Sequence, residues 1–517
     1  MAFSSGPKIY KSPVRKLVRF FEKSRDQWKA KSRAAKTKIK RLVKRVQDMG
    51  ASRARWKQRV KELEAELAKA NTKCRDLEQE VSALKQAQSE APTALLALGD
   101  FQRSPKRQQY SLGQIWFFLS FVLFARVSLR GASQAMLYSL TLLPFPLGYP
   151  DWTTGRLWLL RLGYYKLTRP KPQADDWVWI VDHTVQVGVE KCLLILGVRL
   201  SDLPRKGACL THEAVEPIAL LPVQHSNGDV VYHQLEATIE KTGVPRAIVG
   251  DHGPDLQAGV ERFGEAHPET SLIYDIKHKT AAVLKRELEQ DALWLTFTQG
   301  AAQAKSRLQQ TDLAAFAPPN QRSKARYLNL AELVNWGCHI LAWFDANQPD
   351  IPEMLSVKLG WILDFRSSLA NWQALFAVVT AAESLVRQEG LYQGVQSKLK
   401  TQLEGLAHTQ QSQRVAAELL NFLSEEESKV RPGERLPGSS EVIESVFGKF
   451  KYLEQDQAQS GFTGLVLSVC ALVSTTTKEV VQQALEAVPV KKVLTWCKEN
   501  LGASVQAKRR AIFTTPG

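Results

Sequence analysis

Cysteine is sparse in this chain and never paired in a motif. Cys74, Cys192, Cys209, Cys338, Cys470 and Cys497 are scattered over 517 residues without a C-x-x-C. That spacing argues against a zinc ribbon and against a disulfide framework, and it fits a reducing compartment. Long apolar runs are lacking too. The stretch L-G-Q-I-W-F-F-L-S-F-V-L-F-A covers 112–125 and ends at Arg126; its 14 residues fall short of the roughly 20 that cross a bilayer, so it reads as a buried helix. The N-terminus is basic from the start and has no continuous apolar core of the secretory kind, so the expected location is the cytoplasm, with no membrane partner.

Acidic residues are almost missing from the first 60 positions. Twenty Lys and Arg stand there against Glu22, Asp26 and Asp48, a net +17 that equals the excess of the whole chain, 69 − 52 = 17. The rest is therefore neutral overall, and the basic charge is concentrated in one arm that attracts a polyanion. Binding by such an arm releases counterions, weakens steeply with salt and reads little sequence. An anionic membrane surface would attract it as well, but nothing lipid-like lies nearby.

Within the arm, steps of four and three from Ala35 meet Ile39, Leu42, Val46, Met49, Arg53, Trp56, Val60 and Leu63, and continue to Leu84. Only Arg53 interrupts the apolar series, no Pro occurs, and Gly50 is the lone glycine. The pattern predicts a coiled coil that makes a homodimer and lays its basic half, with Arg41, Lys44 and Arg45, on DNA. A single helix folding back on the body would give the same pattern.

Three acids stand out further on: Asp182 closing W-V-W-I-V-D, Asp251 closing A-I-V-G-D, and Glu444 in I-E-S-V-F-G-K-F-K. A carboxylate at the end of an apolar strand loses hydration unless a cation or donor compensates it. Hard oxygen ligands of this kind suit Mg²⁺ or Mn²⁺, and three of them can hold two ions for phosphoryl transfer. Runs 176–188, 191–200 and 217–224 read as an antiparallel meander. A helix over 228–242, with Val231, Leu235 and Ile239 at helical spacing, then leads to a strand from Arg246 to Gly250. A right-handed crossover would set that strand parallel to the first and bring Asp182 beside Asp251. Strand 271–275 and a helix from about His278 extend the series.

This order of elements resembles the ribonuclease H-like fold, and the chain resembles the DDE transposases of insertion sequences. Four stretches carry the resemblance: V-D-H-T at Asp182; G-D-H-G-P-D-L-Q-A-G-V-E-R-F at Asp251; D-I-K-H from Asp275 to His278; and I-E-S-V-F-G-K-F-K with Glu444, Phe447 and Lys451. It implies that Asp182, Asp251 and Glu444 bind two Mg²⁺ (or Mn²⁺), cut transposon ends in double-stranded DNA and join them to a target. Glu441 competes for the third place; Glu444 is preferred because it stands two helical turns before Lys451, which with Lys449 faces phosphate. The helix pattern departs from the family's by having Pro437 and Ser440 where a Tyr and an Arg are usual. His278 either contacts the scissile strand or bonds Asp275. His183 either positions water or is a satisfied neighbour of the sheet, and Asp255 caps a helix.

The expected fold class is multidomain, α plus α/β. Residues 1–89 are basic arm and coiled coil, 90–108 a linker, and 109–170 a helix-turn-helix-like module. The first part of the mixed-sheet core covers 171–281, a large helical insertion 282–435, and the last core helices and tail 436–517. In the module, Ser128 and Arg130 open one helix and Thr153, Thr154 and Arg156 the next, placed to meet DNA, although a helix cap with no DNA contact explains Thr153 equally well. In the insertion, Trp294, Trp336, Trp343, Trp361 and Trp372 read as helical core or as a stacking surface for bases, and Arg322, Lys324 and Arg326 as a DNA contact. The resemblance implies a nucleoid-associated protein of a prokaryote-like cell. A related nuclease or resolvase, and a non-catalytic DNA-binding descendant, are the alternatives.

Overall fold

The computed structural model describes residues 13–41, 44, 98–142, 147–187, 190–203, 209–251, 253–320, 330–348, 350–455, 464–501, 510 and 512–513. The chain divides into two compact units, Met1–Leu96 and Ala97–Gly517. In the first unit residues 14–41 form one helix, α1. It follows Pro13, whose carbonyl accepts from the N–H groups of Lys16 and Leu17, and it holds no Gly or further Pro. The heptad run beyond residue 44 and Arg45 lie outside the described residues, as do Arg322, Lys324 and Arg326.

The second unit opens with a 3₁₀ turn at Leu98–Phe101, so the stretch expected to be a linker is docked from there on. Phe101 is buried, Asp100 pairs with Lys478 at 2.6 Å, and Gln108 accepts from Arg161. The apolar run forms α2 (Leu112–Leu123), started by a capping box between Ser111 and Gln114 and carrying fully buried Ile115, Phe118 and Leu119. Ser128 caps α3 (Leu129–Leu140) and Asp151 caps α4 (Trp152–Thr168).

A five-stranded sheet follows, β1 (Trp177–Val187), β2 (Glu190–Arg199), β3 (Glu216–Val223), β4 (Ala247–Gly250) and β5 (Ser271–Tyr274), in the order β3-β2-β1-β4-β5. The first three strands are an antiparallel meander, while β4 runs parallel to β1 and β5 parallel to β4. The crossovers are α5 (Gly228–Thr242) and α6 (Pro254–Ala266), and α7 (Ile276–Glu289) leaves β5. This is the strand and helix order expected from the sequence.

The two faces of the sheet bury different residues, as the period of two requires. Trp177, Trp179, Val181, Leu193 and Ile195 pack against Val231 and Leu235 of α5 and Leu256 and Phe263 of α6. Val178, Ile180, Leu194 and Leu196 face a much larger core. That core runs without a break into α8 (Ala292–Leu308), α9 (Ala331–Ala346), α10 (Glu353–Leu359), α11 (Arg366–Glu389), α12 (Val395–Leu403) and α13 (Gln410–Ser428), and on to α14 (Glu441–Gln455). The helices between β5 and α14 are thus fused to the sheet's core. The tryptophans belong to their interior: Trp294 and Trp372 are buried edge-to-face at 5.0 Å, and Trp336 and Trp361 pack around Phe297. Trp343 packs on Phe316 at 5.0 Å. The segment Glu353–Glu389 is long and apolar enough to span a membrane, but it is mostly buried within the fold and passes through a 3₁₀ turn at Gly360–Phe365.

The chain closes with α15 (Ser468–Ala471), α16 (Lys478–Ala487) and α17 (Val490–Asn500) around α4. A Cβ on Gly163 of α4 would lie 1.9 Å from the Leu467 carbonyl oxygen, so only glycine permits this approach. Lys166, fully buried, donates to the carbonyls of Ala471, Val473 and Ser474 at the end of α15.

Candidate active site

Asp182 does not end its strand; it sits in the middle of β1, opposite Leu194 of β2. What ends there is the parallel pairing with β4, whose last partners are Val181 and Gly250. Asp182 and Asp251 are the next residue of each strand, so both carboxylates emerge at one edge of the sheet. Asp251 accepts from the N–H of Gly253 at 3.2 Å as the chain turns into α6, and Asp182 accepts from the N–H of His183 at 2.6 Å. Burial first, then the charge of Asp251, pushes the Asp182 carboxyl up to about 7, against the pull of the His183 hydrogen bond. Among the described residues no Lys, Arg or His forms an ion pair with either aspartate.

Glu444 reaches the same edge from α14, which packs on β1 through a face that includes Val442, Ile443, Val446 and Phe450. Its carboxylate takes a 3.0 Å hydrogen bond from His278 Nε2 and lies 3.6 Å from Lys277 Nζ. Burial works to raise its pKa, but the His278 bond and the Lys277 charge outweigh it and hold Glu444 below the usual value. For His278, burial works downward and is outweighed by the bond to Glu444 and the charges of Asp275 and Asp251, which bring it up to about 9. Glu441, the competitor, turns the other way, to Arg387 at 2.9 Å and Lys277 at 3.8 Å.

Asp275 holds this arrangement together. It is buried, its Oδ1 accepts from the N–H groups of Lys277 and His278 at the start of α7, and its Oδ2 accepts from the N–H of Ser440 at the start of α14. The His278 ring is therefore free of Asp275 and goes to Glu444. The sequence reading missed Lys277 and this double capping role; the D-I-K-H stretch was its signal. A second layer stands behind Asp182. Lys191 pairs with Asp255 at 2.7 Å, and His183 bonds Ser226 at 3.3 Å and lies 3.9 Å from Asp255. Asp255, whose own burial works upward, is brought down to about 2 by the bonds from Lys191 and Ser226. It is an ion-pair partner and not the helix cap, a place taken by Gly253.

The remaining candidates are dispersed. Lys449 bonds the His212 ring at 2.6 Å, and Lys451 is exposed on α14. Arg130 is exposed and stacks over Trp152 at 5.1 Å; Thr153 is exposed, and its hydroxyl donates to Asp151, which is the actual cap. Arg156 is only partly exposed at Gly464 and Cys497, and burial lowers its pKa. The buried residues of α4 lie chiefly from Trp158 on, while Trp152, Thr153 and Thr154 at its start are not buried. Arg41 and Lys44 are exposed on the first unit.

Three carboxylates, two of them neighbours without a cation, are a donor set that fits a hard divalent ion. Glu444 is bonded to α7, however, and no three His, Cys, Asp or Glu side chains among the described residues gather at metal-binding distance. A cavity of about 390 Å³ lined by Gly243, Arg246, Glu269 and Arg431 lies at the opposite end of β4 from Asp251.

No protein-family model matches the chain, and no curated protein matches it. Among solved structures it is similar to the Drosophila P element transposase strand transfer complex, at 13% identity and a TM-score of 0.34, over 82% of this chain and 100% of that one. A likeness of that size bears on no residue and no activity here.

Proposed function

We propose that the chain is a DNA transposase of the DDE, ribonuclease H-like kind, with Asp182, Asp251 and Glu444 as its catalytic carboxylates. The observation that carries this reading is the β1–β4 register, which sets Asp182 beside Asp251 with a carboxyl that burial and like charge make costly to ionise. Asp182, Asp251 and Glu444 would hold two Mg²⁺ or Mn²⁺ ions, which supply activation of water and stabilisation of the leaving oxygen. Lys277 and His278 keep Glu444 ionised and aimed at the sheet edge, and when Glu444 turns to the aspartates both cationic groups are released toward a DNA phosphate.

Double-stranded DNA, both transposon end and target, is the proposed partner. The basic arm with Arg41, Lys44 and Arg45 attaches it, Lys451, Arg130 and Thr153 offer further exposed contacts, and a coiled coil pairs two chains. The test is cleavage of a labelled duplex carrying the ends that flank the gene, with and without Mg²⁺. Asp182→Asn and Glu444→Gln should each abolish cleavage while end binding is retained. Normal turnover by either variant overturns the assignment; cleavage without joining to a second duplex would assign a nuclease or resolvase instead.

A further inference from the structure

Helix α1 carries an apolar stripe that its basic composition conceals. Val14, Val18, Phe21, Arg25, Trp28, Ser32, Ala35 and Ile39 follow one another by alternate fours and threes. Val14, Val18, Trp28 and Ile39 are 76%, 49%, 68% and 59% exposed, so this face is open to a partner. The stripe joins, without a change of step, the run that continues from Ala35 to Leu84. It also contains S-R-D-Q-W-K (24–29), which recurs as S-R-A-R-W-K at 52–57, 28 residues on.

The heptad step decides what the stripe is for. An undistorted helix drifts about 20° per heptad, so over the three heptads from Val14 to Ala35 the two ends of the stripe would stand about 60° apart on a helix lying flat on DNA or lipid. Only supercoiling against another helix returns them to one line. The flanks state the condition. Residues 14–41 hold twelve Lys and Arg against Glu22 and Asp26. Paired helices stand about 8–10 Å apart, well inside the Debye length of about 30 Å at 0.01 M salt, so at low salt the like charges of two copies oppose pairing with little screening.

We infer that α1 pairs in register with α1 of a second copy of this chain, and that pairing waits for a polyanion to neutralise its flanks. DNA attachment and dimerisation at the arm are then one event. The inference rests on the coiled-coil pairing proposed above and adds its extent and its dependence on a polyanion, but it does not depend on the carboxylates; an Asp182→Asn chain should pair in the same way, so the two readings fail separately.

The experiment uses the full chain with the photo-crosslinker p-benzoylphenylalanine in place of Trp28 or, as control, of Ala30, two residues on and on the far side of the helix. In low salt without DNA, position 28 should give little chain-to-chain product. A short DNA duplex at low salt, or about 1 M salt alone, where the Debye length falls to about 3 Å, should raise it several-fold, and position 30 should stay low. Equal yields at the two positions, capture of DNA in place of a second chain at position 28, or a yield there that ignores both duplex and salt overturns the inference.

Discussion

Replacing Asp275 with Ala tests the hinge on which the candidate site is built. The side chain is 1% exposed and satisfies three backbone donors: Lys277 at 2.6 Å, His278 at 3.0 Å and, from another helix, Ser440. Losing an N-cap costs about 0.5–2 kcal/mol, and leaving the Ser440 N–H buried without a partner costs about 1–3 kcal/mol. The two add to about 1.5–5 kcal/mol, since the donors belong to different helices. Urea unfolding followed by tryptophan fluorescence should show that loss. Hydrogen exchange should locate it, with the amides of Lys277, His278 and Ser440 exchanging faster than in the parent chain. Asp275→Asn keeps one carbonyl oxygen and turns an NH₂ toward the other donors, so it should recover only part of the loss. An Ala variant within about 0.5 kcal/mol of the parent, the range of an ordinary surface change, with unaltered exchange at Ser440, would refute the argument.

Gly163→Ala forces a Cβ to within 1.9 Å of the Leu467 carbonyl oxygen, and since backbone cannot rotate away it should cost about 1–3 kcal/mol in the same unfolding assay. The Asp182 carboxyl, raised to about 7 in the fold from about 3.9 unfolded, binds more protons folded than unfolded between those values. Its ionisation therefore removes stability as pH rises through that window. Asp182→Asn should accordingly unfold at higher urea than the parent at pH 8 without divalent metal, and the gap should close near pH 4. His278 moves stability in the same direction, although here the charged form is the favoured one: raised to about 9 from about 6.5, it contributes fully below pH 6.5, and the contribution is lost as pH rises through 9. The stability difference between parent and His278→Gln should shrink over that window; a constant difference from pH 6 to 10 would show that the ring's charge is not shared with Glu444.

Much of the sheet was legible because its signals are local. Alternation and short connections gave the three-stranded meander, and Gly243 and Pro245 punctuated the crossover, so strand order and the neighbouring places of Asp182 and Asp251 followed from the topology. The end of β1 was misplaced for a physical reason. A strand stops hydrogen-bonding to one neighbour and continues with the other, and a sequence carries no sign of which edge a residue faces. Asp182 looked terminal because the apolar run stops there, yet β2 carries β1 five residues further. The start of α4 was open for a similar reason: Thr153 and Asp151 both have capping oxygens, and only the turn decides that the aspartate accepts while the threonine donates.

The side-chain partners of the third acid were the least legible, because they depend on a contact between residues 165 apart. The Asp275 to Ser440 bond sets the start of α14 against the start of α7. Once that is fixed, Glu441 and Glu444 share Lys277 between them and differ in their second partners, Arg387 and His278. The two cationic groups nearest the acids therefore lean on the one carboxylate that rides on a helix, and not on the two that emerge from the rigid sheet. If Asp182, Asp251 and Glu444 hold a metal as proposed, Glu444 is the adjustable ligand, and Lys277 and His278 would compete for its carboxylate. Neutralising both, as Lys277→Met with His278→Gln, should tighten Mn²⁺ binding measured by electron paramagnetic resonance. Weaker or unchanged binding would mean that Glu444 does not join the aspartates.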